Sequence, residues 1–464
     1  MKSSSLSTRR APALCLALLA HFATAATPAA NEPAQSDLAS IVREAYADDA
    51  PGAAVIVVHE GKILYRGARG MANLELSVPL RAEHVFRIGS VTKQFTAAAI
   101  LLLADEGRIA LSDPITKHLP DYHAQGRVVT IEQLLAHTSG IANYTELPEW
   151  QPTMRRDVSV GELIQMFQDK PFDFAPGERW KYDNSGYVLL GAIIEKVSGQ
   201  TYADFMRTRV FDPLGMIQTA YDSAARVVPG RAAGYMRGGE PWVNADFVSM
   251  THPYAAGALV STVDDLARWN AAIENGQLLK PASWLRAGAS FSLSDGTRTR
   301  YGAGWILGRV GPVATLEHGG GINGFNAYVL RAPAQRLYVA VLANASPPRT
   351  PPQDVAVKLA ARVLQVSMEA PEIGFAEDRL DEYAGRYLLA GSGSIGISRE
   401  RNRLYASDGK ADRLELVPIG RDLFEERKHH ARYRFERKGG SIATLEIEPR
   451  ILMGQRARRA EATE

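Results

Sequence analysis

The sequence contains almost no cysteine. Its single cysteine, Cys15, lies within the first 25 residues, which have the features of a cleavable leader described below. Without that leader the chain has no thiol, which excludes disulfide bonds, a cysteine nucleophile and a cysteine-ligated metal site. The 10 histidines form no cluster with the spacing of metal ligands, so the sequence indicates neither a metal nor another cofactor.

An excess of one charge and long apolar runs are missing as well. The 53 basic residues nearly balance the 51 acidic ones, and the formal net charge of +2 gives no reason to expect a nucleic-acid partner. After the leader, no stretch reaches the roughly 18 apolar residues that a membrane-spanning helix needs. The hydrophobic content of 46% and charged content of 22% are typical of a globular protein. Nothing in the sequence indicates an oligomeric state.

The N-terminus has the composition of a signal peptide. A basic start precedes an apolar segment, residues 11–22, that is too short for an ordinary spanning helix. Ala23-Thr24-Ala25 then has the small-x-small pattern of a cleavage site. We therefore expect a mature chain that begins at Ala26 and is periplasmic or secreted. The alternative is a buried first helix.

The hydrophobic pattern predicts an α+β fold. Residues 53–59 and 63–67 read as a β-hairpin, and the periodicity from residue 131 to residue 276 is mainly helical. After residue 303 the pattern again indicates strands, followed by a closing helix at residues 355–366. We predict one antiparallel sheet, built from the N-terminal hairpin and the late strands, flanked by helices and with the helical segment as an inserted subdomain. The predicted late strands are residues 304–307, 313–316, 325–330 and 337–342.

The C-terminal part differs in pattern. A proline-containing linker at residues 368–374 is followed by short, closely spaced strand-like runs, which predict a small all-β barrel or sandwich. The expected division is a signal peptide at 1–25, a first domain at 26–370 and a β-rich accessory domain at 371–464. We expect the tail from residue 455 onward to be disordered.

The most informative stretch lies at residues 86–103. Ser90 precedes an apolar helix, and Lys93 follows three residues later, so both side chains can point to one side of the helix. The helix N-terminus is a positive environment that favours an oxyanion and disfavours an ammonium. This arrangement suits a serine nucleophile with a neutral lysine as its base. The alternative is a helix-capping serine with a solvated lysine.

Further motifs follow in a fixed order along the chain. They are Leu134 to Ile141 (LLAHTSGI), Tyr182-Asp183-Asn184, Pro213-Leu214-Gly215-Met216 and His318-Gly319-Gly320-Gly321. Together with Ser90-Val91-Thr92-Lys93 they resemble the serine β-lactamase-like family, which includes class C β-lactamases, penicillin-binding proteins, D-aminopeptidases and esterases. The resemblance covers about residues 53–366 and implies the β-lactamase/transpeptidase-like fold.

The resemblance also implies roles for particular residues. Ser90 stands at the position of the nucleophile, Lys93 at that of the general base, and Tyr182 at that of the proton relay. Asn184, His318 and Gly320 stand at substrate-binding positions of the family's motifs. Acyl transfer also needs two donors for the oxyanion, and the backbone N–H groups of Ser90 and Gly321 are the candidates.

Several residues of these motifs also have a structural interpretation. Tyr182 could be a core residue, Asn184 a helix N-cap, and His318 the end of a strand. His137, which lies near Ser139, is more typical of a capped turn than of a hydrolytic pair. Asp183 could bring a carboxylate to a substrate amine or could point away.

The third motif departs from the family pattern. Where carboxylate-binding members have lysine followed by threonine or serine, this chain has His318 and Gly319. Histidine is only partly charged at neutral pH, and glycine has no hydroxyl, so strong β-lactamase activity is not expected. We expect an exported serine hydrolase that acts through an acyl-enzyme on a small ester or amide, including small peptides. The alternatives are a D-Ala-D-Ala carboxypeptidase or weak class C-like β-lactamase, and an inactive penicillin-binding or cell-wall sensor module.

Overall fold

The computed structural model describes residues 33–237, 241–374, 377–389, 393–409, 413–450 and 455–460. The predicted signal peptide, with Cys15, lies outside the described residues. Within those ranges, no helix has the length and apolar character needed to cross a membrane.

Helices are concentrated between residues 90 and 290. In chain order the described α-helices are α1 Gln35–Ala45, α2 Thr92–Asp105, α3 Ile131–Leu135, α4 Trp150–Thr153, α5 Val160–Gln165, α6 Asn184–Ser198, α7 Tyr202–Met206, α8 Tyr254–Gly257, α9 Val263–Glu274, α10 Pro281–Ala287 and α11 Pro352–Leu364.

Strands are concentrated at both ends of the described chain. In chain order they are β1 Ala53–His59, β2 Lys62–Arg69, β3 Met71–Asn73, β4 Val78–Pro79, β5 Phe86–Arg87, β6 Ala220–Tyr221, β7 Tyr235–Arg237, β8 Trp242–Asn244, β9 Leu259–Ser261, β10 Ile306–Val310, β11 Val313–Ile322, β12 Phe325–Ala332, β13 Leu337–Ala343, β14 Ala345–Ser346, β15 Gly385–Leu389, β16 Ser394–Glu400, β17 Arg403–Ser407, β18 Leu414–Gly420, β19 Leu423–Glu426, β20 Arg432–Lys438, β21 Ser441–Glu448 and β22 Gln455–Arg459.

The central sheet joins the two ends of the first part of the chain. Its six strands have the order β10-β11-β12-β13-β1-β2, and every neighbouring pair is antiparallel. The N-terminal hairpin therefore pairs directly with the last of the late strands, for example Ile56 opposite Ala340. The predicted antiparallel sheet flanked by helices is confirmed.

The sheet separates two hydrophobic cores. In β1 the side chains of Ala54 and Ile56 pack into the core shared with α2 and α6, whereas Val55 and Val57 pack into the core shared with α1 and α11. This follows from the two-residue period of a strand, which sends successive side chains to opposite faces. Because both faces are covered by helices, β1 reads as a continuous apolar run and not as an alternating one.

Helix α2 lies in the middle of the first core. Every residue from Thr92 to Leu103 is buried, which agrees with the apolar sequence on all sides of the helix. Lys93 is among these buried residues, and this position determines the chemistry described below.

The C-terminal part forms a closed barrel, which confirms one of the two predicted all-β folds. Its strands follow the order β15 to β22, and β22 pairs with both β21 and β15. Aromatic side chains fill its interior, with Tyr383, Tyr387, Phe424 and Phe435 in mutual ring contact. The boundary between two domains at residue 370 stays a prediction.

The prediction of a disordered tail from residue 455 is wrong for residues 455–459. These residues form β22, because β15 and β21 would otherwise each present an unpaired edge of backbone N–H and C=O groups. The charged side chains of Arg456, Arg458 and Arg459 made this segment look like a solvated tail in the sequence.

We expect β22 to be required for the integrity of the barrel. A chain that ends at Gly454 lacks the partner of β15 and β21, so the amides of β15 should lose protection from hydrogen exchange and the barrel should be cut by protease. A chain that ends at Ala460 keeps β22 and serves as the matched control. If both shortened chains show the protection of the full chain, residues 455–459 do not close the barrel.

Candidate active site

The candidate nucleophile lies where β5 meets α2. After β5 the chain makes a 3-10 turn over Gly89–Val91, and α2 begins at Thr92. Gly89 has φ of 50°, and a Cβ built there would lie 2.9 Å from the Gly321 nitrogen, so glycine is required for this turn to approach β11. Ser90 is partly exposed and lines a cavity.

Lys93 lies directly beneath Ser90. Its side chain is fully buried, and its Nζ is 3.1 Å from Ser90 Oγ, 2.8 Å from Asn184 Oδ1 and 2.9 Å from the Ala256 carbonyl oxygen. The face of the Tyr182 ring lies 4.7 Å from the same atom. The predicted Ser90–Lys93 pair is therefore formed, and its two members are within hydrogen-bond distance.

The surroundings of Lys93 favour its neutral form. Burial lowers the pKa of the Lys93 amine well below its ordinary value, and the nearby Asp183 opposes this only in part. The amide oxygen of Asn184 and the carbonyl of Ala256 can only accept hydrogen bonds, so they take the two N–H groups of a neutral amine. The remaining lone pair then faces the Ser90 hydroxyl, as a general base requires.

Tyr182 stands beside this pair. Its hydroxyl is buried and has no hydrogen-bond partner of standard geometry among the described residues, yet the Ser90 hydroxyl is near enough to influence its pKa. Burial raises the pKa of the Tyr182 phenol above its ordinary value. The phenol therefore stays protonated at neutral pH, which suits a proton relay and leaves the role of base to Lys93.

Asn184 is the first residue of α6, and Asp183 before it is the N-cap. The Asp183 carboxylate accepts hydrogen bonds from the Ser185 and Gly186 backbone N–H groups, at 2.7 and 3.0 Å. Asp183 is 4% exposed and turned towards the helix, so of its two alternatives the structure shows the one that points away from a substrate. Burial raises the pKa of the Asp183 carboxyl to about 7, against the lowering effect of these hydrogen bonds.

Capping by Asp183 leaves the side chain of Asn184 free for the site. Its Oδ1 accepts from Lys93, and its Nδ2 donates to Thr145 Oγ1 at 3.1 Å. These two contacts define the orientation of the amide. Asn184 also lines the cavity in front of Ser90, so its interpretation as the N-cap is excluded.

His318 is on β11 but is 2% exposed and does not line the cavity. Its Nδ1 lies 2.6 Å from the Gly319 carbonyl, which can only accept, so Nδ1 carries the proton. Nε2 therefore accepts from the Tyr301 hydroxyl at 2.8 Å. Burial lowers the pKa of the His318 imidazole to about 3, so it is neutral at pH 7. Contact between His318 and a substrate stays a prediction.

The two predicted glycines of β11 are placed differently. Gly321 lines the cavity beside Ser90. Gly320 packs against the nucleophile turn instead, and a Cβ there would lie 1.9 Å from the Ile88 carbonyl oxygen. Any side chain at position 320 would push β11 away from Ser90. Gly320 thus permits the close approach that brings Gly321 to the nucleophile.

His137 and Ser139 form part of the packing behind the site. His137 Nδ1 accepts from the Asp183 N–H at 3.1 Å, and its ring lies 4.4 Å from that of Tyr182. Ser139 is 1% exposed and accepts from the Ile141 N–H at 3.2 Å. Neither side chain is accessible to a substrate, which agrees with the structural interpretation of this motif.

A cavity of about 230 Å³ opens in front of Ser90. Among the residues that the structure describes, none of those that line it has a charged side chain. Its walls are apolar or neutral and come from segments far apart in the chain: Gly89, Ser90, Tyr144, Thr145, Trp150, Asn184, Val248, Pro253, Ala256, Gly257, Gly321, Ile322 and Asn323.

Sequence reasoning missed several of these contributors. The Ala256 carbonyl binds Lys93, and Thr145 orients Asn184, but neither residue belongs to a motif. Tyr144 begins a 3-10 turn and Trp150 begins the short helix α4, and both elements are too short to leave a periodic pattern in the sequence. A backbone carbonyl leaves no trace in the residue type, so no sequence signal could have identified Ala256.

Comparisons with known proteins identify the family of this chain. Residues 38–362 match the family described as Beta-lactamase. Over 402 residues the chain is 30% identical to Penicillin-binding protein 4* of Bacillus subtilis (strain 168). The aligned region covers 80% of this chain and 86% of that protein.

Two solved structures show the extent of the likeness. The octameric penicillin-binding protein homologue from Pyrococcus abyssi has 25% identity and a TM-score of 0.61, over 91% of this chain and 98% of that one. A D-stereospecific amidohydrolase from Streptomyces sp. has 26% identity and a TM-score of 0.61, over 72% of this chain and 100% of that one.

We expect Lys93→Met to abolish turnover of any ester or amide substrate, by at least about a thousandfold, because it removes the general base without creating a cavity. At pH 7 the unfolded chain carries Lys93 as an ammonium, and burial makes that ammonium unfavourable in the folded state. Methionine carries no charge and avoids this cost, so the variant should unfold at a higher temperature than wild type at pH 7. Lys181→Met, at a partly exposed lysine paired with Glu146 and Asp173, is the matched control and should stay active. An active Lys93→Met would reject Lys93 as the base.

Asp183 provides a test of capping against substrate recognition. Asp183→Asn keeps a good N-cap and should leave both stability and KM for an amine-bearing substrate close to wild type, whereas Asp183→Ala should cost about 1–2 kcal/mol in urea unfolding. A selective rise in KM for amine-bearing substrates in the stable Asn variant would instead place the carboxylate in substrate binding.

Proposed function

This chain belongs to the Beta-lactamase family, as its ordered motifs predict, and on that premise we propose that it hydrolyses small amides and esters that lack a carboxylate, through an acyl-enzyme on Ser90. The observation that carries the proposal is the contact between the Ser90 hydroxyl and a buried lysine whose other two hydrogen bonds end on obligate acceptors. A serine hydroxyl needs such a base to act as a nucleophile at neutral pH.

Acylation would begin with proton transfer from Ser90 Oγ to neutral Lys93. The Ser90 oxygen then attacks the substrate carbonyl, and the resulting oxyanion is bound by the backbone N–H groups of Ser90 and Gly321. The Tyr182 phenol passes a proton from the Lys93 ammonium to the leaving amine or alcohol. Water then attacks the acyl-enzyme, and the proton that it loses is returned to Ser90 as the acid is released.

The lining of the cavity supports a substrate without a carboxylate. Carboxylate recognition needs a cation or several donors, and the described residues that line the cavity supply no lysine, arginine or charged histidine. Tyr144, Trp150 and Val248 give it an apolar wall, while Asn184 and Asn323 offer amide groups for orientation. A volume of about 230 Å³ is suited to an amino-acid-sized acyl group.

The likeness to a D-stereospecific amidohydrolase supports amides with a D-configured acyl group as the first substrates to try. The likeness to Penicillin-binding protein 4* supports a second candidate, in which β-lactams acylate Ser90 and are released slowly. The absence of a cation among the described lining residues makes D-Ala-D-Ala carboxypeptidase activity and rapid β-lactam turnover the weaker alternatives.

Export and domain organisation are also part of the proposal. The basic, apolar and Ala-x-Ala segments of residues 1–25 support secretion with cleavage before Ala26. N-terminal sequencing of the protein recovered from the periplasm or medium tests this. We further propose that residues 26–370 form the hydrolase and 371–464 an accessory domain.

The test is a parallel measurement of kcat/KM for p-nitrophenyl butyrate, D-phenylalanine amide, L-phenylalanine amide and nitrocefin. We expect turnover of the ester and the D-amide. The kcat/KM for nitrocefin should be at least about tenfold lower than that for the ester, because no cation among the described lining residues can bind its carboxylate. A fluorophosphonate probe should label Ser90.

Ser90→Ala is the control and should lose both turnover and labelling while its unfolding transition is unchanged. Stoichiometric labelling by penicillin without turnover of any substrate would indicate a sensor and contradict the proposed hydrolase. Preferred hydrolysis of nitrocefin would contradict the assignment of substrates without a carboxylate.

A further inference from the structure

One of the contacts between the barrel and the central sheet is made by a buried arginine. Arg450 follows the barrel strand β21 and is 6% exposed. Its guanidinium forms a two-armed ion pair with Glu317, with Nη1 2.9 Å from Oε1 and Nη2 2.9 Å from Oε2. Nη1 also donates to the Arg309 carbonyl at 3.0 Å. The contact joins the barrel to β10 and β11 of the central sheet.

Glu317 is held from several sides. It is completely buried, and besides Arg450 it accepts hydrogen bonds from the hydroxyls of Thr315 and Tyr328. A buried carboxylate with donors on both oxygens is restrained in position. Because Arg450 supplies one contact to each oxygen, loss of this side chain would release half of the restraint.

Glu317 lies immediately upstream of the site residues on β11. After His318 the strand continues with Gly319, Gly320 and Gly321, which have no side chains to anchor it by packing. Yet Gly320 must stay against the Ile88 carbonyl for Gly321 to reach the nucleophile turn. Glu317 is thus one of the last side chains that can hold β11 in place before the candidate oxyanion donor.

The same barrel segment also holds the neighbour of His318. Arg300 donates to the Pro449 carbonyl at 2.5 Å and to the Arg450 carbonyl at 3.3 Å. The next residue, Tyr301, donates to His318. Pro449 and Arg450 therefore contact the residues next to both partners of the Tyr301–His318 hydrogen bond. Arg300, which both of them contact, precedes Tyr301, and Glu317, which Arg450 contacts, precedes His318.

We propose that Arg450 is a positioning residue for catalysis, through which the C-terminal barrel holds β11 and its Gly321 N–H in register with Ser90. The inference rests on the proposed serine-hydrolase function and adds to it a requirement for the barrel. Arg450 does not touch the cavity, so it acts on kcat through the position of the oxyanion donor and leaves substrate binding nearly unchanged.

The experiment compares Arg450→Met, Arg450→Lys and the double variant Glu317→Gln/Arg450→Met in the full chain. For Arg450→Met we expect kcat for p-nitrophenyl butyrate to fall about 10- to 100-fold, with KM changed by less than about threefold. The single variant leaves a buried carboxylate without its cation and should unfold at a lower temperature. Arg450→Lys keeps a cation opposite Glu317 but loses the two-armed contact, so it should fold and show an intermediate kcat.

The double variant separates positioning from stability. It removes both charges, so its unfolding temperature should recover relative to Arg450→Met while its kcat stays low. If kcat per folded molecule recovers together with the unfolding temperature, Arg450 is merely structural and the proposal is wrong. Arg450→Lys and the double variant carry the test if Arg450→Met does not fold.

Arg437→Met is the matched control. Arg437 lies on β20 and pairs with Asp422 and Glu382. Its other described contacts, with Tyr383 and Gly440, also lie in the C-terminal part of the chain. Its replacement should lower the stability of the barrel but leave kcat unchanged. An equal loss of kcat in Arg437→Met would show that general damage to the barrel is responsible and would contradict a specific role for Arg450.

The outcome also separates the two proposals. A wild-type chain that hydrolyses no ester or amide and is not labelled by fluorophosphonate contradicts the serine-hydrolase function, and the positioning role falls with it. An active wild-type chain combined with an Arg450→Met variant of unchanged kcat contradicts only the positioning role.

Discussion

The site depends on the burial of one amine. Lys93 lies in a helix that is covered on all sides, and it meets only a hydroxyl, an amide oxygen, a carbonyl and aromatic rings. Withdrawal from water disfavours its ammonium form and lowers the pKa of the amine well below its ordinary value, which favours a role as a base. The same burial keeps the Tyr182 phenol protonated and His318 neutral. One environment thus sets the protonation states of the whole site.

A second constraint is the close approach of two backbones. The nucleophile turn and β11 meet at Gly89 and Gly320, where a side chain on either would collide with the opposite strand or turn. These two segments are more than 200 residues apart in the chain. Their contact brings the Ser90 and Gly321 N–H groups to one cavity, and glycine provides the space but not the rigidity. Neighbouring buried polar contacts, including Glu317 with Arg450, restrain β11.

Much of the fold was predictable because burial leaves a periodic pattern. The β1–β2 hairpin, the helical character of residues 131–276, the late strands and α11 were recognisable from apolar spacing, and the antiparallel sheet followed. Strand β22 was not, since its arginines gave it the composition of a solvated tail and its partners β15 and β21 are distant in sequence. Closure of the barrel depends on pairing between strands that are distant in sequence. The sequence of one strand alone therefore does not predict it.

The sequence by itself determined which reactive groups exist and in what order: Ser90 and Lys93 one helical turn apart, Tyr182 and Asn184 on either side of Asp183, and a glycine run after His318. Local spacing suffices for this because residues three apart share a helix face. Only the tertiary structure decided that Asp183 caps α6, that His318 is enclosed behind the cavity, and that Ala256 and Arg450 belong to the site's support. These properties arise from contacts between distant segments, and burial, hydrogen-bond direction and backbone approach exist only once those segments have packed.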